Sequence, residues 1–195
     1  MAAPIVGVLA LQGDVAEHVA AFERCGVPVT TVRNAEELAG VDALALPGGE
    51  STTMSRLLRV FQLEQPLQRR LEAGMPCFAT CAGMILLSRA ISDGRTGQIA
   101  YAALDIAVRR NGYGRQVESF EADLDIPAIG PDPYRAVFIR APLVEDVGPA
   151  AEVVAELDGR PVAVAQGPHL AFAFHPEMTA DLRLHRLFLE RVATG

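Results

Sequence analysis

Short apolar runs that stop at turn residues recur along the first half of the chain. Ile5–Leu11 ends at Gly13, Val27–Val32 follows, Ala43–Leu46 stops at Pro47-Gly48-Gly49, and Met75–Ala79 rises into Thr80-Cys81. Continuous runs of this kind suit strands covered on both faces, since a strand with one wet face would alternate. Between them the apolar residues fall at helical spacing. In Asp14–Cys25, Val15, Val19 and Phe22 stand at i, i+4 and i+7, with Asp14 as the expected N-cap. Ser51–Val60 and Leu63–Ala73 read the same way, the second closed by Gly74 ahead of Pro76. Strand alternating with helix predicts a mostly parallel sheet flanked by helices, with right-handed crossovers.

The second half has a different rhythm. Leu104–Val108, Gln116–Leu124, Ala136–Ile139, Glu152–Leu157, Pro161–Ala165 and Leu170–Phe174 are closely spaced strand candidates, and Asp158-Gly159 is a hairpin-turn signal. They predict an antiparallel portion added to the sheet. Thr179–Val192 closes the chain as a helix with Leu184, Leu187, Phe188 and Val192 on one face. No repeat, low-complexity tract or linker interrupts residues 1–195, so a single α/β domain is expected.

Composition narrows the chemistry. A formal charge of −7 works against binding nucleic acid or an anionic membrane. All 17 basic residues are Arg, so neither a lysine Schiff base nor a P-loop lysine is available. Three cysteines, Cys25, Cys77 and Cys81, are too few and too irregular for a disulfide framework or a four-ligand zinc site. The start lacks a charged segment ahead of an apolar stretch, and the longest apolar runs fall short of a membrane span. A soluble, cytoplasmic, reduced protein is expected.

Cys25, before Gly26, and Cys77, inside an apolar run, read as small core residues. Cys81 differs, because it stands where a strand gives way to Ala82-Gly83 and the helical-looking Met84–Ser88. A nucleophile on such a turn is held clear of the sheet, and backbone N–H groups beside it can stabilise an oxyanion. A cysteine nucleophile needs a base, and the base an orienting group. His18 and His185 fall within helical stretches and read as packed or solvated; His169 falls in a turn. His175 opens His175-Pro176-Glu177, where i and i+2 of an extended segment would hand the Glu177 carboxylate to one ring nitrogen. The other nitrogen would face the thiol. In Leu46–Thr53, two glycines at a strand's carboxyl end admit a ligand close to the backbone, while Ser51 suits an N-cap.

Together these pieces resemble a class I glutamine amidotransferase, which implies a three-layer α/β sandwich. Gly7–Gly13, Leu46–Met54, Thr80-Cys81-Ala82-Gly83, Arg110-Asn111, Gly114-Arg115-Gln116, Ser119–Ala122, Ile139–Pro142 and His175–Glu177 narrow the likeness to the glutaminase subunit of pyridoxal 5′-phosphate synthase. The resemblance implies a Cys81–His175–Glu177 triad that hydrolyses L-glutamine through a γ-glutamyl thioester. It implies an oxyanion hole from Gly48 or Gly49 and Ala82, and glutamine contacts from Gly49, Glu50, Ser51, Arg110, Ile139 and Arg140, with either arginine able to take the α-carboxylate. It implies no metal or cofactor of the subunit's own, and a barrel-shaped synthase partner that receives the ammonia, docked near Gln12. The missing lysines fit that division, with imine chemistry left to the partner. Ala79 departs from the glycine that usually opens the elbow, and its β-carbon is expected to crowd the turn slightly. The generic triad would also serve another synthase, such as that for imidazole glycerol phosphate. A non-catalytic module of the same fold is the remaining alternative.

Overall fold

In the computed structural model, which describes residues 3–110, 112 and 119–194, four parallel strands come first: β1 (Val6–Leu9), β2 (Val29–Val32), β3 (Ala43–Leu46) and β4 (Cys77–Thr80). Every residue of β1, β3 and β4 is buried, as continuous apolar runs require. β2 is half exposed because it lies at the sheet edge. The connections are α1 (Val15–Arg24), α2 (Ala35–Ala39), α3 (Ser51–Val60) and α4 (Glu64–Glu72). The short α2, capped by the Asn34 side chain on the Glu37 N–H at 2.9 Å, was not foreseen.

After β4 come α5 (Ala82–Leu87), β5 (Ser88–Ile91), β6 (Leu104–Arg109), β7 (Ser119–Leu124), β8 (Tyr134–Ile139) and β9 (Leu143–Val147). They are followed by β10 (Glu152–Leu157), β11 (Arg160–Gln166), β12 (His169–Phe172), a 3-10 turn at Pro176–Met178 and α6 (Arg183–Thr194). The central sheet has seven strands in the order β10-β11-β12-β4-β3-β1-β2. β12 lies parallel to β4, and β11 and β10 extend the sheet antiparallel.

The expected antiparallel portion is therefore divided. Among the described residues only β10 and β11 add antiparallel pairing to the central sheet; β5-β6-β9 and β7-β8 form two small sheets of their own. β5 and β9 leave little trace in the sequence, because β5 follows a helix without a turn residue and β9 carries Glu145-Asp146 in its middle. Residues 116–118 of the anticipated Gln116–Leu124 strand, together with Asn111 and the Gly114-Arg115-Gln116 segment, lie outside the described residues.

Aromatic packing ties the layers at the end of the sheet that matters for chemistry. Phe78 of β4 meets Phe22 of α1 at 5.4 Å between ring centroids, Phe172 of β12 at 5.0 Å and Phe188 of α6 at 5.5 Å. Burying each such ring contributes about 1.5–3 kcal/mol. Phe138 of β8 reaches Phe174, just past β12, at 5.5 Å, so the β7-β8 sheet is anchored beside the segment that carries His175. Among the described residues no helix is long and apolar enough to cross a membrane.

Candidate active site

β4 ends at Thr80, and the chain turns at Cys81 with φ 48° and ψ −101°. A side chain rarely adopts such a backbone, and holding it costs about 1–3 kcal/mol, so the surroundings must impose it. Two constraints do so. The Cys81 N–H donates to the Phe172 carbonyl at 2.8 Å, continuing the β12 pairing past the strand. Gly83 lets α5 settle on the end of β3, where a β-carbon would lie 2.2 Å from the Leu46 carbonyl oxygen. Ala79 is an ordinary strand residue in register with Leu46 and Ala171, so its β-carbon does not prevent the turn. The Cys81 Sγ lies 3.9 Å from the Ile139 carbonyl oxygen at the end of β8.

His175 approaches from β12. Its N–H donates to the Val137 carbonyl at 2.9 Å, and Pro176 then starts the 3-10 turn. The turn, rather than an extended i, i+2 arrangement, swings Glu177 back under the ring, because the proline's fixed φ suits the first position of a helical turn. His175 Nδ1 and Glu177 Oε1 are 2.7 Å apart and both residues are buried. The Asp14 carboxylate lies 3.4 Å from the same nitrogen. Asp14 does stand before α1, yet its side chain makes no capping bond.

Behind Glu177 the Oε1 atom lies 3.5 Å from the Thr80 hydroxyl and 3.5 Å from His18 Nε2, which are themselves 3.2 Å apart. Burial disfavours the His175 imidazolium, but the neighbouring Asp14, Cys81 and Glu177 side chains and the Glu177 charge outweigh it, raising the ring well above the usual histidine range. Burial likewise opposes the Glu177 carboxylate; the facing His18 and His175 rings reverse that and hold its carboxyl below the usual range. The imidazole Nε2 is buried with no hydrogen-bond partner among the described residues.

Asp14, Gly49, Glu50, Ser51, Cys81, Ile85, Arg110, Ile139, Arg140 and His175 line a cavity of about 230 Å³. Of the sequence-predicted residues, Gly48 abuts the His175 ring, Ala82 is buried at the start of α5, and Glu177 stands behind His175 rather than on the wall. Arg110 is held by the Thr52 hydroxyl at 3.1 Å and the Asp93 carbonyl at 3.1 Å, whereas Arg140 is exposed just past β8 with φ 43°. Ser51 is not the cap of α3. Glu50 is, accepting from the Thr52 and Thr53 N–H groups at 3.1 and 2.7 Å, while Ser51 Oγ accepts from Gln98 Nε2 at 2.7 Å. Gln12 packs where a Gly49 β-carbon would sit and accepts the Glu50 N–H at 3.2 Å. A larger, open concavity of about 1140 Å³ around Pro4, Pro168 and Arg191 is lined by neither cysteine nor histidine.

Asp14, His18 and Thr80 were not anticipated here. Sequence periodicity put Val15, Val19 and Phe22 on the buried face of α1; the observed face is His18, Ala21 and Phe22, with the two valines half-buried. A histidine i−4 from a phenylalanine on a core face was the available signal. His169, expected in a turn, is instead the buried first residue of β12.

A strained cysteine on a strand-to-helix turn, opposite a histidine–carboxylate pair at the carboxyl edge of a parallel sheet, is the layout of the α/β proteins that use a cysteine for amide chemistry. A model of the SNO glutamine amidotransferase family matches residues 8–194, and the chain belongs to that family. A relative from Parafrankia sp. (strain EAN1pec), described as pyridoxal 5′-phosphate synthase subunit PdxT, is 57% identical over 192 residues, spanning 98% of this chain and 95% of its own. One of the same description from Streptomyces coelicolor is 54% identical over 189 residues, spanning 97% and 94%. A crystal structure described as a glutamine amidotransferase superposes with a TM-score of 0.90 at 46% identity, covering 96% of this chain and 98% of the other. The PurLQS structure from Thermotoga maritima, with a TM-score of 0.70 at 16% identity over 96% of this chain and 98% of that one, shares the fold alone.

Proposed function

We propose that this chain hydrolyses L-glutamine to L-glutamate and ammonia, and hands the ammonia to a barrel-shaped pyridoxal 5′-phosphate synthase subunit. The observation that carries the chemistry is that His175, paired with the buried Glu177, lines one amino-acid-sized cavity with Cys81. In the first step the Cys81 thiolate, its proton held on His175 Nε2, attacks the side-chain amide carbon. The C–N bond breaks as His175 returns that proton to the departing ammonia, leaving a γ-glutamyl thioester. In the second step His175 takes a proton from water, whose oxygen attacks the thioester carbonyl; the C–S bond breaks, and the thiolate is regenerated beside the protonated His175. Glu177 keeps Nδ1 protonated throughout, so Nε2 remains the working nitrogen.

The Gly48 or Gly49 N–H and the Ala82 N–H are the proposed oxyanion donors, each typically supplying about 10²–10³ in rate. Arg110 or Arg140 takes the substrate α-carboxylate as a charge-assisted pair, with Glu50, Ser51 and Ile139 completing the wall. The synthase partner follows from the names that the relatives at 57% and 54% identity carry, which favour it over an imidazole glycerol phosphate partner. Ammonia is mostly protonated in neutral water, so delivery without solvent keeps it nucleophilic.

Glutamate release is to be measured with and without the synthase subunit. Partner-stimulated release is expected, falling by about 10³ or more in Cys81→Ala and in His175→Asn. Release that persists in Cys81→Ala, or none under either condition, would overturn the reading.

A further inference from the structure

We infer that His18 and the Thr80 hydroxyl are positioning residues for the hydrolysis proposed above, on which this inference rests: they fix the Glu177 carboxylate from the side away from the cavity. Three elements aim at one oxygen. Glu177 Oε1 lies 2.7 Å from His175 Nδ1, 3.5 Å from His18 Nε2 on α1 and 3.5 Å from Thr80 Oγ1 at the end of β4. His18, Thr80 and Glu177 are all buried, and neither His18 nor Thr80 lines the cavity.

The His18 tautomer follows from its surroundings. Nδ1 is buried with no hydrogen-bond partner among the described residues, while Nε2 faces two oxygens. A proton on Nδ1 would strand a buried N–H and aim a lone pair at the carboxylate; a proton on Nε2 gives both oxygens a donor. The Thr80 hydroxyl can then pass its own hydrogen to Oε1. Glu177 Oε2 has no partner among the described residues, so Oε1 carries the whole anchoring of the carboxylate. Without His18 the carboxylate loses one of the three partners of Oε1 and more readily rotates or takes up a proton, and either event loosens His175 Nδ1.

The titratable groups that reach Glu177 are His18 on α1, His175 beside it, Tyr134 on β8 and His185 on α6, with Asp14 beside His175 and Asp181 beyond Tyr134. Burial pushes the Tyr134 phenol up and, foremost among several causes, the His185 ring down, so neither changes charge near neutrality. Asp14 and Cys81 face His175 from the cavity side, so the position of an acid limb is compared between parent and variant rather than assigned to one group.

The test measures kcat and KM for glutamine against pH, using the full chain with its synthase and active sites counted by Cys81 labelling. For His18→Phe we expect kcat to fall roughly 10–100-fold, part of the roughly 10²–10⁴ that general acid–base catalysis supplies. KM should be unchanged, and the acid limb should move about one pH unit toward neutrality. His18→Gln, which keeps an N–H near the position of Nε2, should restore most of both. A purely structural His18 would lower the fraction of active sites and leave the profile of the remainder unmoved; that result would overturn the inference. Should His18→Phe fail to fold, the isosteric Thr80→Val decides, a smaller shift in the same direction supporting the inference and an unchanged kcat and profile overturning it. Absence of glutamate release from the unsubstituted protein would instead remove the underlying reading.

Discussion

A β-carbon added at Gly48 would lie 2.4 Å from His175 Cε1 and 3.2 Å from the Asp14 carboxylate. The imidazole cannot step aside cheaply, because Nδ1 is held at 2.7 Å by Glu177 and the backbone N–H by Val137. Gly48→Ala is therefore expected to displace the ring while leaving the fold intact. Displacements of about 1 Å can cost about 10² in rate, so glutamine hydrolysis should fall by at least that order with little change in melting temperature. Gly40→Ala is the control: its nearest neighbour would be the Glu37 carbonyl at an ordinary 3.6 Å, and activity should be retained. Equal activity in the two variants would refute the argument. At this scale the sequence exposes which residues are unusual, a cysteine after a strand or two glycines before a helix. Which atom Gly48 admits depends on His175, 127 positions away, and no local pattern records that.

At the scale of elements, α3 shows how one residue's identity shifts a role. Ser51 is the better N-cap by type, yet Glu50 has the extended backbone of the cap position, and its carboxylate spans two N–H groups and the Thr53 hydroxyl at 2.9 Å. Partial burial opposes the charge, but hydrogen bonds from Thr52 and Thr53 outweigh it and hold the Glu50 carboxyl below its usual value. Its stabilising contribution is thus present above the ordinary glutamate range and lost as pH falls through the lowered value. Glu50→Ala should cost about 1 kcal/mol in urea unfolding near neutral pH, and the gap from the parent should narrow in acid. A gap independent of pH would assign the loss to packing. The strands and helices of the first half were legible because burial on both faces leaves unbroken apolar runs. β5 and β9 were not, since small sheets with wet faces mix charge into their strands. The one-residue rotation of α1 hid His18, because two half-buried valines mimic a core stripe as well as a histidine and an alanine do.

For the whole molecule, the packing that joins α1, β4, β12 and α6 carries an acid liability. His185 stacks on Phe78 at 4.7 Å and meets Phe22 at 5.0 Å, with neither ring nitrogen hydrogen-bonded among the described residues. Burial, foremost among the influences on it, pushes this ring down to about 3; burial alone pushes His169 down to about 4. Both fold uncharged, so below the ordinary histidine value of 6.5 the unfolded chain binds more protons, and stability falls with pH through that window. His175 acts in the opposite sense: its raised pKa gives stability fully present below 6.5 and lost only as pH rises toward the folded value. Glu177 adds to the acid loss further down, below the ordinary glutamate value of 4.5. His185→Phe keeps an aromatic ring among aromatic neighbours and removes one titrating group. It should abolish about 2 kcal/mol of the stability decline between about pH 7 and pH 5, from about 1.36 kcal/mol per pH unit below 6.5, in urea unfolding compared with the parent. Parallel pH dependences for parent and variant would place the acid-sensitive group elsewhere, with His169 next in line.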